Sequence, residues 1–266
     1  MARRSVLRTL PVARFLAEFW QKEPLVVRGA FPGLKDPLSP DELAGLACEP
    51  HVDSRLVVAR GRKPWQVTRG PQKAAARQRL PRSHWTLLVE SMDRHSDEIA
   101  AFASAFSFLP RWRMDDVMVS LAPVGGTVDA HIDGYDVFLI QGQGQRRWEV
   151  DRRSVPDYRP GLDLRILKRF EAQDSWVLAP GDMLYVPPGV GHRGVTIEGG
   201  AEIAVGRDVD RAAERRNRPD LLRGVSRTII RGSPLDSALP GHWPGDTSFV
   251  FRRRPENRGG RRAIGC

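Results

Sequence analysis

VDAHIDGYDVFLIQGQGQRRWEV, residues 128–150, is the stretch on which the fold turns. It places His131 and Asp133 two apart at the head of an apolar run and follows a glycine-studded turn with Arg146, Arg147 and Trp148. Side chains two apart on a strand leave by the same face, so this histidine and aspartate can address a common point. A metal held there needs a third ligand, and His192 supplies it. In PGDMLYVPPGVGHRGVTIE a strand enters the turn Pro187, Pro188, Gly189, and the histidine follows three residues later. The 58 residues between Asp133 and His192 amount to several strands, which a closed barrel can return to one pocket. Two imidazoles and a carboxylate on one side of an octahedral ion leave the other side open, the arrangement of non-haem Fe(II) oxygenases.

Each piece taken alone has a blander reading. A histidine beside a strand is commonly a satisfied structural residue, and His51, His84, His95 and His242 are read that way. It is the combination of an H-x-D pair with a glycine- and proline-framed histidine that points to a metal. Three open coordination positions suit a bidentate 2-oxo acid together with dioxygen, and the far carboxylate of such an acid calls for a cation. A guanidinium offers the bidentate match. The QGQGQ turn is expected to fold YDVFLIQG and RRWEV into a hairpin, so that one of Arg146 and Arg147 faces inward. Burying that arginine without an anion would be costly. A salt bridge to Glu149 serves the purpose as well as an organic acid does.

Working outward, the period is that of strands from Asp115 onward. DDVMVSLAP, YDVFLIQG, RRWEV, SWVLAP, DMLYVPP, RGVTIE and AEIAVG follow one another with Gly, Pro or Asp at the joins, which predicts a compact antiparallel β-barrel or sandwich. Residues 154–174 form a longer connection. Upstream, SPDELAGLA predicts a short helix with Ser39 as N-cap, Pro40 at the first position and Glu42 closing a capping box. EPLVVRGAF, SRLVVAR and KPWQVTRGP predict strands. Residues 83–108 carry apolar positions at helical spacing and predict two helices broken near His95 and Ser96.

Composition bounds the rest. The 266 residues are 41% hydrophobic, enough for a full core. No apolar run reaches the roughly 18–20 residues of a membrane span, and arginines interrupt the N-terminus before a secretory segment forms. Cys48 and Cys266 show no paired spacing, which fits a reducing cytoplasm. The net charge of +10 is uneven: residues 208–266 hold 13 arginines against 7 acids. An irregular basic tail is expected there, with a weak RNA contact as one reading and a compositional excess of arginine over lysine, 37 to 5, as the other.

At this point the residues resemble a known family. FWQKEPLVVRGAF, SPDELAGLACEPHVDSRLV, WQVTRGP, WRMDDVMVSLAPVGG, HIDGYDVFLIQGQGQRRWEV and LAPGDMLYVPPGVGHRG look, in this order, like the bacterial ribosomal oxygenases of the JmjC class. The match spans roughly residues 14–207. The resemblance implies a mainly β fold with α elements, a double-stranded β-helix of the cupin-like jelly-roll kind. An N-terminal α/β region (1–110) would pack on the barrel core (111–207), and the tail (208–266) would lack the family's dimerisation and winged-helix segments. It implies Fe(II), with 2-oxoglutarate and O2 as cosubstrates, and hydroxylation of an arginine in a large-subunit ribosomal protein. It assigns His131, Asp133 and His192 to the iron, Arg146 to the 2-oxoglutarate carboxylate, and Asp116, Met118 and Tyr135 to the target arginine. Relatives carry polar or small hydroxyl residues where this chain has Glu202 and Ala204, and homodimerisation by the family's route is not expected. Competing readings are a metal-binding cupin module without oxygenase activity, a hydroxylase of a histidine or lysine in another protein, and a structural barrel with an RNA-binding tail.

Overall fold

The computed structural model describes residues 7, 10–34, 38–61, 64–73, 79–109 and 116–206. The expectations for residues 208–266, including the basic tail, its RNA contact, His242 and Cys266, lie outside the described residues.

Twelve strands alternate with short helices along the described chain: α1 (Val12–Glu18), β1 (Leu25–Val27), α2 (Pro40–Leu46), β2 (Ser54–Val58), β3 (Gln66–Arg69), β4 (Trp85–Val89), α3 (Asp97–Ala103), β5 (Asp116–Ala122), β6 (His131–Ile132), β7 (Val137–Gln141), β8 (Gln145–Asp151), β9 (Asp174–Leu178), β10 (Met183–Val186), β11 (Gly191–Glu198) and β12 (Gly200–Gly206). They pair antiparallel in two sheets. The larger runs β1-β10-β7-β12-β5-β4-β2-β3 and the smaller β6-β11-β8-β9. Together they form the double-stranded β-helix that the sequence led us to expect.

The two sheets bury their residues differently, and the sequence shows why. Along β7, Phe138 and Ile140 face one hydrophobic cluster while Val137 and Leu139 face another. Strand β10 sorts in the same way, with Met183 and Tyr185 outward and Leu184 and Val186 inward. The outer cluster includes Phe15, Leu43, Met92, Ile99 and Phe106 from the N-terminal helices and turns. The inner cluster includes Trp148, Val150 and Leu178 from the smaller sheet. The larger sheet is therefore covered on both faces, which accounts for the unbroken apolar runs VFLI and MLYV. The smaller sheet keeps one wet face, and β8 and β9 alternate accordingly, with Arg147, Ser175 and Val177 exposed.

Several local expectations hold. Helix α2 starts at Pro40 with Ser39 accepting from the Glu42 amide and the Glu42 carboxylate accepting from Ser39 N, a complete capping box. The three upstream strands lie where SRLVVAR, KPWQVTRGP and EPLVVRGAF place them.

Two expectations are corrected. Residues 83–108 are not two α-helices: Trp85–Val89 is strand β4, followed by a 3-10 turn at Met92–Arg94, and only the second segment forms an α-helix, α3, with Ser96 as its N-cap. The run WTLLV satisfies both periods, and pairing with β2 on one side and β5 on the other settles it as a strand. Nor are β7 and β8 a hairpin. β7 lies between β10 and β12 in the larger sheet, whereas β8 lies between β11 and β9 in the smaller one. The chain changes sheets at Gly144, whose φ of +66° suits glycine and whose Cβ would stand 2.4 Å from the carbonyl oxygens of Glu198 and Gly199. Strands β11 and β12 change sheets at the same corner, and a Cβ on Gly200 would meet the Gln143 carbonyl.

Candidate metal centre

The chain also changes sheets between His131 and Val137. His131 belongs to the two-residue strand β6 of the smaller sheet, and Asp133 lies just beyond it, so the pair does not head β7 as expected. Strand pairing supplies the third group directly. His192 is the antiparallel partner of His131, and the two imidazole centroids lie 4.3 Å apart. The turn 187–189 is tied to the same place, because the Gly189 amide donates to the Asp133 carbonyl at 2.9 Å. Gly189 has φ +80°, a conformation that disfavours a side chain.

One ligand atom from each of His131, Asp133 and His192 falls within 4.8 Å of the others, the one such group among the described residues. Asp133 Oδ2 stands 3.4 Å from His192 Nε2 and 3.7 Å from His131 Nε2. Each imidazole is oriented through its other nitrogen: His131 Nδ1 bonds the Asp129 carbonyl at 3.0 Å and His192 Nδ1 the Val190 carbonyl at 3.1 Å. A carbonyl only accepts, so Nδ1 carries the proton and Nε2 turns a lone pair toward the centre. His192 is fully buried, with its side chain 2% exposed, while His131 and Asp133 are 24% and 19% exposed. The group is thus open on one side.

Electrostatics favour the ligand form of His131 and of Asp133. Burial lowers the His131 pKa, helped by the positive fields of His192 and Arg55, against the opposing pull of Asp133. Burial pushes the Asp133 carboxyl up, but His131 and His192 outweigh it and hold its pKa at about 2. A neutral imidazole and an ionised carboxylate are the forms that bind a metal. The donor set, its orientation and its charge state fit a divalent transition ion.

The interior floor continues from the histidine. Directly opposite residues of an antiparallel pair share a face, and here His192, Gly194 and Thr196 of β11 stand against Val150, Trp148 and Arg146 of β8. Arg146 is buried and Arg147 exposed, as the alternation requires. Arg146 Nη2 donates to Thr196 Oγ1 at 3.2 Å. The ion pair to Glu149 goes instead to Arg193, at 2.8 Å on the outer face. Trp148 lies between Arg146 and His192, 5.8 Å from each. Gly194 makes room for it, since a Cβ there would come within 2.7 Å of the indole. Thr196 and Gly194 escaped the sequence reading, although the period of two counted from His192 reaches both.

The three residues assigned to a target side chain lie along the opposite wall. Met118 and Tyr135 pack against the inner cluster, and Asp116, half-buried, shares the Met118 face of β5. Ala204 is buried in the inner cluster opposite Met118, and Glu202 pairs in register with Ser120 and Gln141. The connection 154–174 also reaches the site: Leu167 bridges Tyr158 and its amide donates to the Ala130 carbonyl, next to His131. Of the histidines read as structural, His84 bonds Ser83 at 2.7 Å and His51 lies 5.6 Å from His95, apart from the centre.

Residues 101–214 match the family model described as the JmjC domain. The chain is 44% identical over 199 residues to the ribosomal protein uL16 3-hydroxylase of Escherichia coli, covering 74% of this chain and 52% of that protein. The X-ray structure of E. coli YcfD superposes with a TM-score of 0.71 at 38% identity, over 86% of this chain and 64% of that one. A second structure, of YcfD as a ribosomal oxygenase in complex with cobalt and 2-oxoglutarate, gives a TM-score of 0.66 at 38% identity over 86% of this chain and 63% of that one. The chain spans about half the length of the curated relatives it matches.

Proposed function

With residues 101–214 belonging to the JmjC domain family, we propose that this chain is an Fe(II)- and 2-oxoglutarate-dependent protein hydroxylase whose target is an arginine of a large-subunit ribosomal protein, met in the cytoplasm. The observation that carries the reading is the convergence of His131, Asp133 and His192 on one point, with a buried arginine further along the same interior face.

His131 and His192 would hold the iron through Nε2 and Asp133 through a carboxylate oxygen, leaving the exposed side for the reactants. Bound there, Fe(II) supplies the activation of dioxygen that is coupled to decarboxylation of 2-oxoglutarate to succinate. Arg146 binds the far carboxylate of the oxo acid, and Thr196 and Trp148 fix the angle of its guanidinium. The aliphatic wall of Leu139, Leu184 and Ala204 excludes water from the buried end. Asp116 receives the incoming guanidinium, while Met118 and Tyr135 flank its plane and so select which carbon reaches the centre. An arginine substrate is favoured over a neutral side chain because Asp116 offers a carboxylate on the Met118 face of β5.

Anaerobic titration with Fe(II) and 2-oxoglutarate tests the centre. The wild type is expected to bind both, whereas Asp133→Ala loses the metal. Succinate release that depends on an arginine-containing ribosomal peptide, with a gain of one oxygen in its mass, tests the activity. Metal binding with no turnover of 2-oxoglutarate would instead identify a binding module.

A further inference from the structure

The four residues that cross between the sheets, Asp133, Gly134, Tyr135 and Asp136, carry one metal-binding candidate and one substrate-binding candidate, and they are anchored at both ends. At the first end the Asp133 carbonyl accepts from Gly189 N. At the second, the Asp136 carboxylate accepts from the Tyr185 hydroxyl through Oδ1 and from Gln21 Nε2 through Oδ2 at 3.2 Å. The Gln21 amide in turn donates to the Tyr185 oxygen at 2.8 Å. The three residues close a ring of hydrogen bonds around one phenol.

That phenol is held without freedom. Tyr185 is fully buried, stacked against Trp20 at 5.8 Å with 19° between the planes, and in edge contact with Phe15 at 5.1 Å. A hydroxyl so placed needs a partner, and Asp136 is that partner. Its side chain points to the outer face of the larger sheet, on the side of Tyr185 and Phe138. Asp136 is thus held on the outer side, while its neighbour Tyr135, in the bend before it, packs against the inner cluster. Gly134 is exposed, with open space around its Cβ position. The crossing is tied on one side of it through the Asp133 carbonyl and on the other through the Asp136 carboxylate.

We propose that Asp136 is a positioning residue: clamped from outside by Tyr185 and Gln21, it sets the directions in which Tyr135 and the Asp133 carboxylate face the centre. The inference rests on the reading of His131, Asp133 and His192 as a metal centre. It makes the N-terminal segment, through Trp20 and Gln21, part of the apparatus that shapes the site.

The test is a Co(II) titration of the full chain, read by visible absorption at a temperature well below each variant's thermal midpoint. Tyr185→Phe keeps the ring packing and removes the donor, and Asp136→Ala removes the acceptor. Both are expected to weaken Co(II) binding about tenfold. Asp136→Asn, whose amide oxygen still accepts from Tyr185, is expected to stay within twofold of wild type. Wild-type Co(II) affinity in Tyr185→Phe and Asp136→Ala, with only the thermal midpoint lowered, would reduce the ring to a support of the fold and overturn the proposal. A wild type that binds no Co(II) would sink the metal centre itself, and the inference with it. Co(II) binding without oxygenase turnover would remove the enzymatic reading and leave the positioning role standing.

Discussion

The division of labour between Arg146 and Arg147 shows how a strand turns composition into chemistry. Two identical side chains in sequence meet opposite solvents, because β8 has one face in the barrel and one in water. The buried one is kept only where an anion or a set of acceptors rewards it, and Glu149, the acid on the same strand, faces the other way and pairs with Arg193. Replacing Arg146 with methionine keeps most of the apolar stem and removes the fork. The loss of a charge-assisted contact of about 1.5–3 kcal/mol is expected to weaken 2-oxoglutarate binding roughly ten- to hundredfold. Co(II) affinity measured without 2-oxoglutarate should be unchanged, because the guanidinium stands beyond Trp148 from the histidines. An equal loss of both affinities would show that the substitution had damaged the barrel instead.

At the scale of elements, the end of β8 is organised by one carboxylate. Asp151 accepts from the Arg153 and Glu171 amides, the Ser154 hydroxyl and the Gln173 side-chain amide, which gathers both ends of the 154–174 connection. Burial pushes its pKa up, but these four hydrogen bonds outweigh that and hold it at about 2. A carboxyl whose folded pKa lies below its unfolded value of about 3.9 stabilises the protein fully above that pH. The contribution is lost as the pH falls through about 4 toward about 2. Thermal midpoints of the wild type should therefore drop across this window, and Asp151→Asn should show a lower midpoint at neutral pH with a shallower acid decline. Parallel acid limbs in the two proteins would assign the effect to other carboxylates. The same connection seats Leu167 against Ala130, so loosening it should also loosen the β6 end of the candidate metal group.

For the molecule as a whole, a group assembled from β6, the crossing after it and β11 exists only in the folded state, so a metal that binds it stabilises folding by linkage. Free Co(II) at a hundred times its dissociation constant should add about 2.7 kcal/mol. The thermal midpoint should rise on addition, fall back with a chelator, and not respond in Asp133→Ala. The side chains that converge at this candidate centre were legible beforehand. H-x-D and the Pro-Pro-Gly turn before His192 name its side chains, because metal chemistry restricts residue types and tight turns restrict backbones. The assignments of β5 and of β7 to β12 followed from β-branched runs between Gly, Pro and Asp, whereas the two-residue β6 did not show in the pattern. What misled was local ambiguity: WTLLV fits either period, and QGQGQ fits a hairpin as well as a corner between sheets. Only long-range pairing separates such alternatives, through β2 and β5 for the first and through β10 and β11 for the second. The chain by itself determined which chemical groups are present and which faces of each strand are apolar, since those depend on side-chain identity and a period of two. Which strands lie side by side was decided by the tertiary structure. That pairing places His192 opposite His131, Thr196 against Arg146 and Tyr185 against Asp136, because hydrogen-bonded neighbours are chosen by the closing of the barrel and not by nearness in sequence.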